Sequence, residues 1–267
     1  MIVDYPWSKP GGGALKAAGV QGVMRYLSHD TTKTLQRPEA DDLAAHGIPM
    51  GVVFEDMAQR ALDGYSAGMN DAQVALQMAA GQRNGYSDLA MPAGRPIYFA
   101  ADFDSQWPDI APYYAGAAKI LGQDRVGIYG GLAAVTGAAN SGYRWLWQTV
   151  AWSHGQWHPK ATMRQQLGEV TINHVQCDVN DHQQDDWGQW VPGGEDLVLD
   201  PQTIAQLKQI ISDSVWMHTE NDADGSGPVR MGAVMAWMDK VHENHAKAIA
   251  DLKADVDAIK AQLPPKP

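Results

Sequence analysis

Along the first two-thirds of the chain, short apolar runs rich in β-branched and aromatic residues alternate with longer stretches of helical period. The runs at residues 2–5, 22–27, 48–55, 96–104, 125–130, 145–152, 162–167 and 172–179 predict eight strands. Helical spacing occupies 12–18, 38–46, 67–84, 108–121 and 132–140. Pro38-Glu39 suits a first helical turn and Gly47 a C-terminal cap. The Ala- and Met-rich stretch 67–84 predicts a helix lying flat on a sheet. Strand followed by helix, repeated, predicts parallel strands with crossover helices. Eight of them predict an α/β protein, a (β/α)8 TIM-like barrel, irregular where 153–160 is too short for a crossover helix. An open doubly wound sheet competes, but no G-x-G-x-x-G follows the first strand, and Gly11-Gly12-Gly13 reads as a turn.

The pattern changes after residue 196. Residues 197–217 predict a helix closing or leaving the barrel, with Asp200-Pro201 as cap and first turn. Residues 218–228 are polar and Gly/Asp-rich, a linker; Asp222–Gly225 resembles part of a calcium loop but lacks its other ligands. Two seven-residue series then run together, Met231, Met238, His245, Leu252, Ile259 and Met235, His242, Ile249, Val256, Leu263. Offset by four, they predict a coiled-coil oligomerisation helix over 229–263, with a trimer favoured. Packing of that helix on its own barrel is the alternative.

Composition narrows the functional classes. The 267 residues carry a formal charge of -11, which argues against a nucleic-acid surface. No apolar stretch is long enough for a bilayer span. The lone Cys177 excludes an internal disulfide and a multi-cysteine zinc site. The opening residues Met1–Tyr5 read as a strand with no signal-peptide pattern, so another export route is expected. Ten Trp against three Phe is unusual, and indoles are good platforms for sugar rings.

In a (β/α)8 barrel the C-terminal strand ends carry the chemistry. Those ends hold Asp4, Arg25 and Tyr26, Glu55 and Asp56, Asp102 and Asp104, Tyr129, Trp147 and Gln148, Trp152, Gln165, and Asp178 with Asn180. Asp102-Phe103-Asp104 is the sharpest feature. On a strand both aspartates would share a face, about 6 to 7 Å apart. Carboxyls that close can have separated pKa values, one acting as acid beside an ionised partner, as glycoside hydrolysis requires. Capping of the next helix, or a divalent cation, would also use this motif. Arg25 can neutralise the acidic cluster, and Trp152 is a stacking candidate. No G-x-S-x-G or H-E-x-x-H occurs, so the expectation is a site without cofactor or resident metal.

In order along residues 1–190 stand Asp4, Arg25-Tyr26-Leu27, Glu55, Ile97–Asp104, Val126–Gly131, Trp147-Gln148-Thr149, Ala151-Trp152-Ser153 and Asp178-Val179-Asn180. This set resembles a glycoside-hydrolase-like domain family of unknown function (number 1906), found in actinobacterial secreted proteins and their phages. Its fold is similar to that of the family 25 lysozymes. The resemblance implies a barrel with an acidic sugar-binding cleft. It makes Asp104 the general acid, one methylene shorter than the Glu of those lysozymes, with Asp102 as partner and Asp4 at the cleft floor. Glu55, Arg25, Tyr129, Trp152, Gln148, Gln165 and Asp178 would complete substrate binding. The expected partner is a bacterial cell-wall glycan, met either as a muramidase-like enzyme or as an oligomeric, non-catalytic tail protein. The expected setting is a virion tail, beside other tail proteins, or release to the host envelope.

Overall fold

The computed structural model describes residues 1–193. Eight strands close into a barrel in chain order: β1 (Ile2–Asp4), β2 (Gly22–Leu27), β3 (Met50–Phe54), β4 (Ile97–Ala100), β5 (Val126–Gly130), β6 (Trp145–Thr149), β7 (Met163–Ile172) and β8 (Val175–His182). The five expected helices form as α1 (Gly12–Ala17), α2 (Arg37–Ala45), α3 (Gly64–Ala79), α4 (Trp107–Leu121) and α5 (Leu132–Asn140). Each lies between two of the first six strands, which run parallel to one another, as β6 does to β7.

The last strand departs from the expected pattern. β8 runs antiparallel to both β7 and β1. Residue 172 ends β7 instead of opening β8, and Asn173-His174 makes the turn, both at positive φ (47° and 65°). A two-residue connection cannot cross over a barrel, so it builds a hairpin. Its upper part, around the 83% exposed Leu167, stands above the barrel mouth.

Helix α3 buries Ala72, Ala75 and Met78 in the core it shares with Val52, Phe54 and Phe99, as the Ala- and Met-rich stretch predicts, and it also packs closely on α4. A Cβ on Gly68 would sit 1.8 Å from the Tyr113 carbonyl oxygen, and one on Gly116 would sit 2.0 Å from that of Tyr65. Glycine is what lets the two backbones approach. Strand alternation fixes the rest. Met24, Val53, Tyr98, Trp145, Trp147 and Met163 point into the barrel, while Val23, Val52, Phe99 and Leu146 join the outer core under the helices. Trp187 closes the bottom, its ring against Gly22 and Gly51 and its carbonyl accepting from the Tyr98 hydroxyl at 2.9 Å. No described helix is long and apolar enough to cross a membrane. The expected helix, linker and coiled coil beyond residue 196 lie outside the described residues.

Candidate glycan-binding cleft

The same period of two carries polar residues into the upper lumen. Asp4 is two residues above Ile2, Tyr26 above Met24, Glu55 above Val53, and Gln165 above Met163. Above Tyr98 and Ala100, Asp102 continues the series just past β4; its backbone N–H is held by the Ala58 carbonyl at 3.1 Å. Asp178 faces Asp4 directly across the β1–β8 pair.

Together these side chains line a cleft of about 290 Å³ at the mouth. Glu55, Asp102, Tyr129, Trp147, Gln165 and Asp178 form its walls and floor. The Tyr129 hydroxyl donates to Gln165 Oε1 at 2.6 Å and reaches Asp102 Oδ1 at 3.5 Å. Trp147 meets the Tyr129 ring at 4.7 Å, and its indole N–H donates to Asn180 Oδ1 at 2.8 Å. Asp4 lies beneath, 1% exposed. It accepts from Tyr26 at 3.0 Å, Gln165 at 3.1 Å and Asn180 at 2.8 Å.

Carboxyls brought this close in a poorly hydrated lumen resist ionisation. Burial, with Asp178 nearby, pushes Asp4 up to about 7. Burial also raises Glu55, although Lys33 at 3.3 Å opposes that shift. Asp178 is raised by burial and by the neighbouring Glu169 and Asp102. Among the described residues no cation pairs with Asp178, and no group of three His, Cys, Asp or Glu is arranged to hold a metal ion.

Four of the expected site residues stand elsewhere. Arg25, one residue out of phase with Met24 and Tyr26, points outward and is fully buried. Its guanidinium binds Glu39 of α2 at 2.6 and 3.2 Å and the carbonyls of Tyr5 and Lys33. Gln148 is likewise out of phase with Trp147. It ties down the loop after β6 through Ser153, Gln156 and His158. Trp152 sits in that loop at φ 56° against Gly131, and its neighbour Ala151 lines the cleft instead. Asp104 is exposed in the bend after β4, which ends at Ala100, so alternation does not bring it beside Asp102. Conversely, Tyr26, Trp147 and Asn180 belong to the site; their shared phase with Asp4, Glu55 and Gln165 was the available signal.

Carboxyls thus meet over an indole at the mouth of this α/β barrel, and the chain falls in the glycoside-hydrolase-like class. Residues 13–186 match the Rv2525c-like, glycoside hydrolase-like domain family, and the chain belongs to it. The chain is 26% identical over 206 residues to Rv2525c of Mycobacterium tuberculosis strain H37Rv, described as a candidate peptidoglycan hydrolase. That match spans 71% of this chain and 83% of the relative. Two crystal structures of the Tat-secreted Rv2525c, in complex with L-tartrate and with HEPES, each have a TM-score of 0.64 to this chain. They are 26% and 25% identical and cover 71% of this chain and 98% of theirs.

Proposed function

We propose that this barrel cleaves a bacterial cell-wall glycan, with Asp178 and Asp102 as the working carboxyl pair. The observation that carries the reading is the convergence of Asp102, Asp178 and Glu55 on one indole-floored cleft. Asp178 is the better proton donor. Burial and the neighbouring Glu169 and Asp102 raise it with no cation among the described residues to oppose them, whereas Glu55, also raised by burial, has Lys33 at 3.3 Å working against that shift. Protonation of the glycosidic oxygen by Asp178 lets the exocyclic bond break. Asp102 then faces the positive charge that develops on the sugar ring, and a water adds to the anomeric carbon and gives its proton to the now ionised Asp178, which restores the acid. Tyr129 and Gln165 hold the Asp102 side of the cleft, and the buried Trp147 backs the Tyr129 ring at its floor.

Reducing-end release from purified peptidoglycan tests this. Asp178→Asn and Asp102→Asn are each expected to lower it by about a hundredfold or more, with folding retained. Release unchanged in both variants, or absent from the unaltered protein, rejects the enzyme reading in favour of glycan binding alone.

The phage setting is a finer part of the same reading. A heptad helix over 229–263 would gather several weak glycan sites on one particle, as a tail protein requires. Light scattering with and without residues 229–267 is expected to show an oligomer, a trimer by preference, falling to a monomer. Equal monomeric masses would remove the tail argument.

A further inference from the structure

A second compartment adjoins the mouth. It holds about 410 Å³ and is lined by Asp4, Trp7, Glu169, His174, Gln176 and Asp178, among others. Asp178 lines both spaces, so they adjoin at that residue. One wall is the β1–α1 loop and the other is the β7–β8 hairpin. The two are pinned together by the Asn173 side chain donating to the Pro10 carbonyl at 2.9 Å. Trp7 is 59% exposed, yet its indole N–H is fixed by Asp30 at 3.0 Å, which holds an open ring face at the rim. Glu169 is exposed and accepts from Gln176 at 2.8 Å through one oxygen, leaving the other for a ligand. Among the described residues no Lys or Arg lines the space; Lys9, on the same loop, is turned to Glu39 at 3.6 Å.

We infer that this compartment receives a primary ammonium group carried by the wall polymer, next to the sugar ring in the barrel mouth. The inference rests on the reading of the mouth as a glycan site. An exposed indole beside the Glu169 carboxylate attracts a cation through ring and charge together. A ligand carboxylate would be repelled there, and a neutral acetamido group would gain nothing from the charge. The ammonium has two sources in such polymers, an amino sugar lacking its acetyl group and the free amine of a side peptide. Both present the same chemistry to Glu169 and Trp7.

Calorimetric titration of the full-length Asp102→Asn protein at about pH 6 separates them. The probes are a chitosan tetrasaccharide against its fully N-acetylated chitin counterpart, and a muropeptide with a free side-chain amine against the same molecule acetylated. At least one amine-bearing probe should bind about tenfold more tightly than its acetylated partner. That preference should fall to about twofold or less in Glu169→Gln and in Trp7→Ala backgrounds. Preference in the first pair identifies the amino sugar, and in the second the side peptide. No preference in either pair, or one that survives both substitutions, overturns the inference. Chitin bound and cleaved without any amine preference sinks the second compartment alone. Amine preference with no glycan cleavage by the unaltered protein sinks the catalytic reading instead.

Discussion

The lower and upper halves of the barrel lumen are built by the same strands and the same alternation, yet they behave as opposites. Below, Ile2, Met24, Val53, Tyr98, Trp145 and Met163 pack around Trp187, and the Tyr98 hydroxyl and Trp145 indole N–H donate to backbone carbonyls. Above, a step of two residues replaces them with Asp4, Tyr26, Glu55 and Gln165, and a second such step past Ala100 adds Asp102. The lower half converts apolar burial into stability. The upper half spends part of that stability holding carboxyls where ionisation is unfavourable. The difference teaches how a barrel carries a reactive mouth: the packed plug below tolerates the electrostatic strain above.

Asp4 is the sharpest place to break that contrast, because it stands on the boundary between the halves. Burial holds it up at about 7, against an ordinary carboxyl value of 3.8. Between those pH values the folded chain keeps a proton that the unfolded chain has released. Stability therefore falls as pH rises through that window, and the penalty is complete above about 7. Asp4→Asn mimics the protonated side chain: its oxygen still accepts from Gln165 and Asn180, and its amide faces a Tyr26 hydroxyl that can rotate to accept. The variant is expected to be more stable than the parent near pH 8, by on the order of a few kcal/mol, and similar near pH 4. Urea midpoints across that range measure it. Parallel curves for the two proteins would show that Asp4 ionises without cost and that the boundary is wetter than its burial implies.

The contrast between the halves also explains what could be read without coordinates. Apolar runs and helical spacing located all eight strands and five helices, with boundaries off by up to five residues at β7 and α3, because burial on a strand and burial on a helix leave different periods. The hairpin was hidden. Residues 162–167 and 172–179 look alike whether the chain crosses over or turns back, and the sign of the turn lies in the φ values of Asn173 and His174. Within the site, Asp4, Glu55, Asp102, Tyr129, Gln165 and Asp178 could be named from strand ends, and the structure gathers them around the cleft. Arg25 and Gln148 were named by the same rule, but the rule ignores phase. Met24 and Trp147 set the inward phase in β2 and β6, so Arg25 and Gln148 had to point toward the helices. The carboxylate partner that Arg25 needs out there, Glu39, lies 14 residues away on α2, a pairing no local pattern announces.

Asp104 tests where the upper half ends. If β4 continued to residue 104, its carboxyl would stand above Asp102 in the same inward row, and the motif would supply both members of a catalytic pair. The strand instead stops at Ala100. Asp102 is kept in the row by its backbone bond to Ala58, Phe103 packs on the outer core, and Asp104 is left in solvent before α4. An exposed carboxyl that does not line the cleft has no substrate atom to reach. Asp104→Asn is therefore expected to change reducing-end release by no more than about twofold and stability by no more than about 0.5 kcal/mol. This is the smallest of the effects considered, and the most discriminating. A loss matching that of Asp102→Asn would mean that the bend closes over bound glycan and carries the acid in with it. The working pair would then be Asp102 and Asp104, with Asp178 left to shape the cleft between the two compartments.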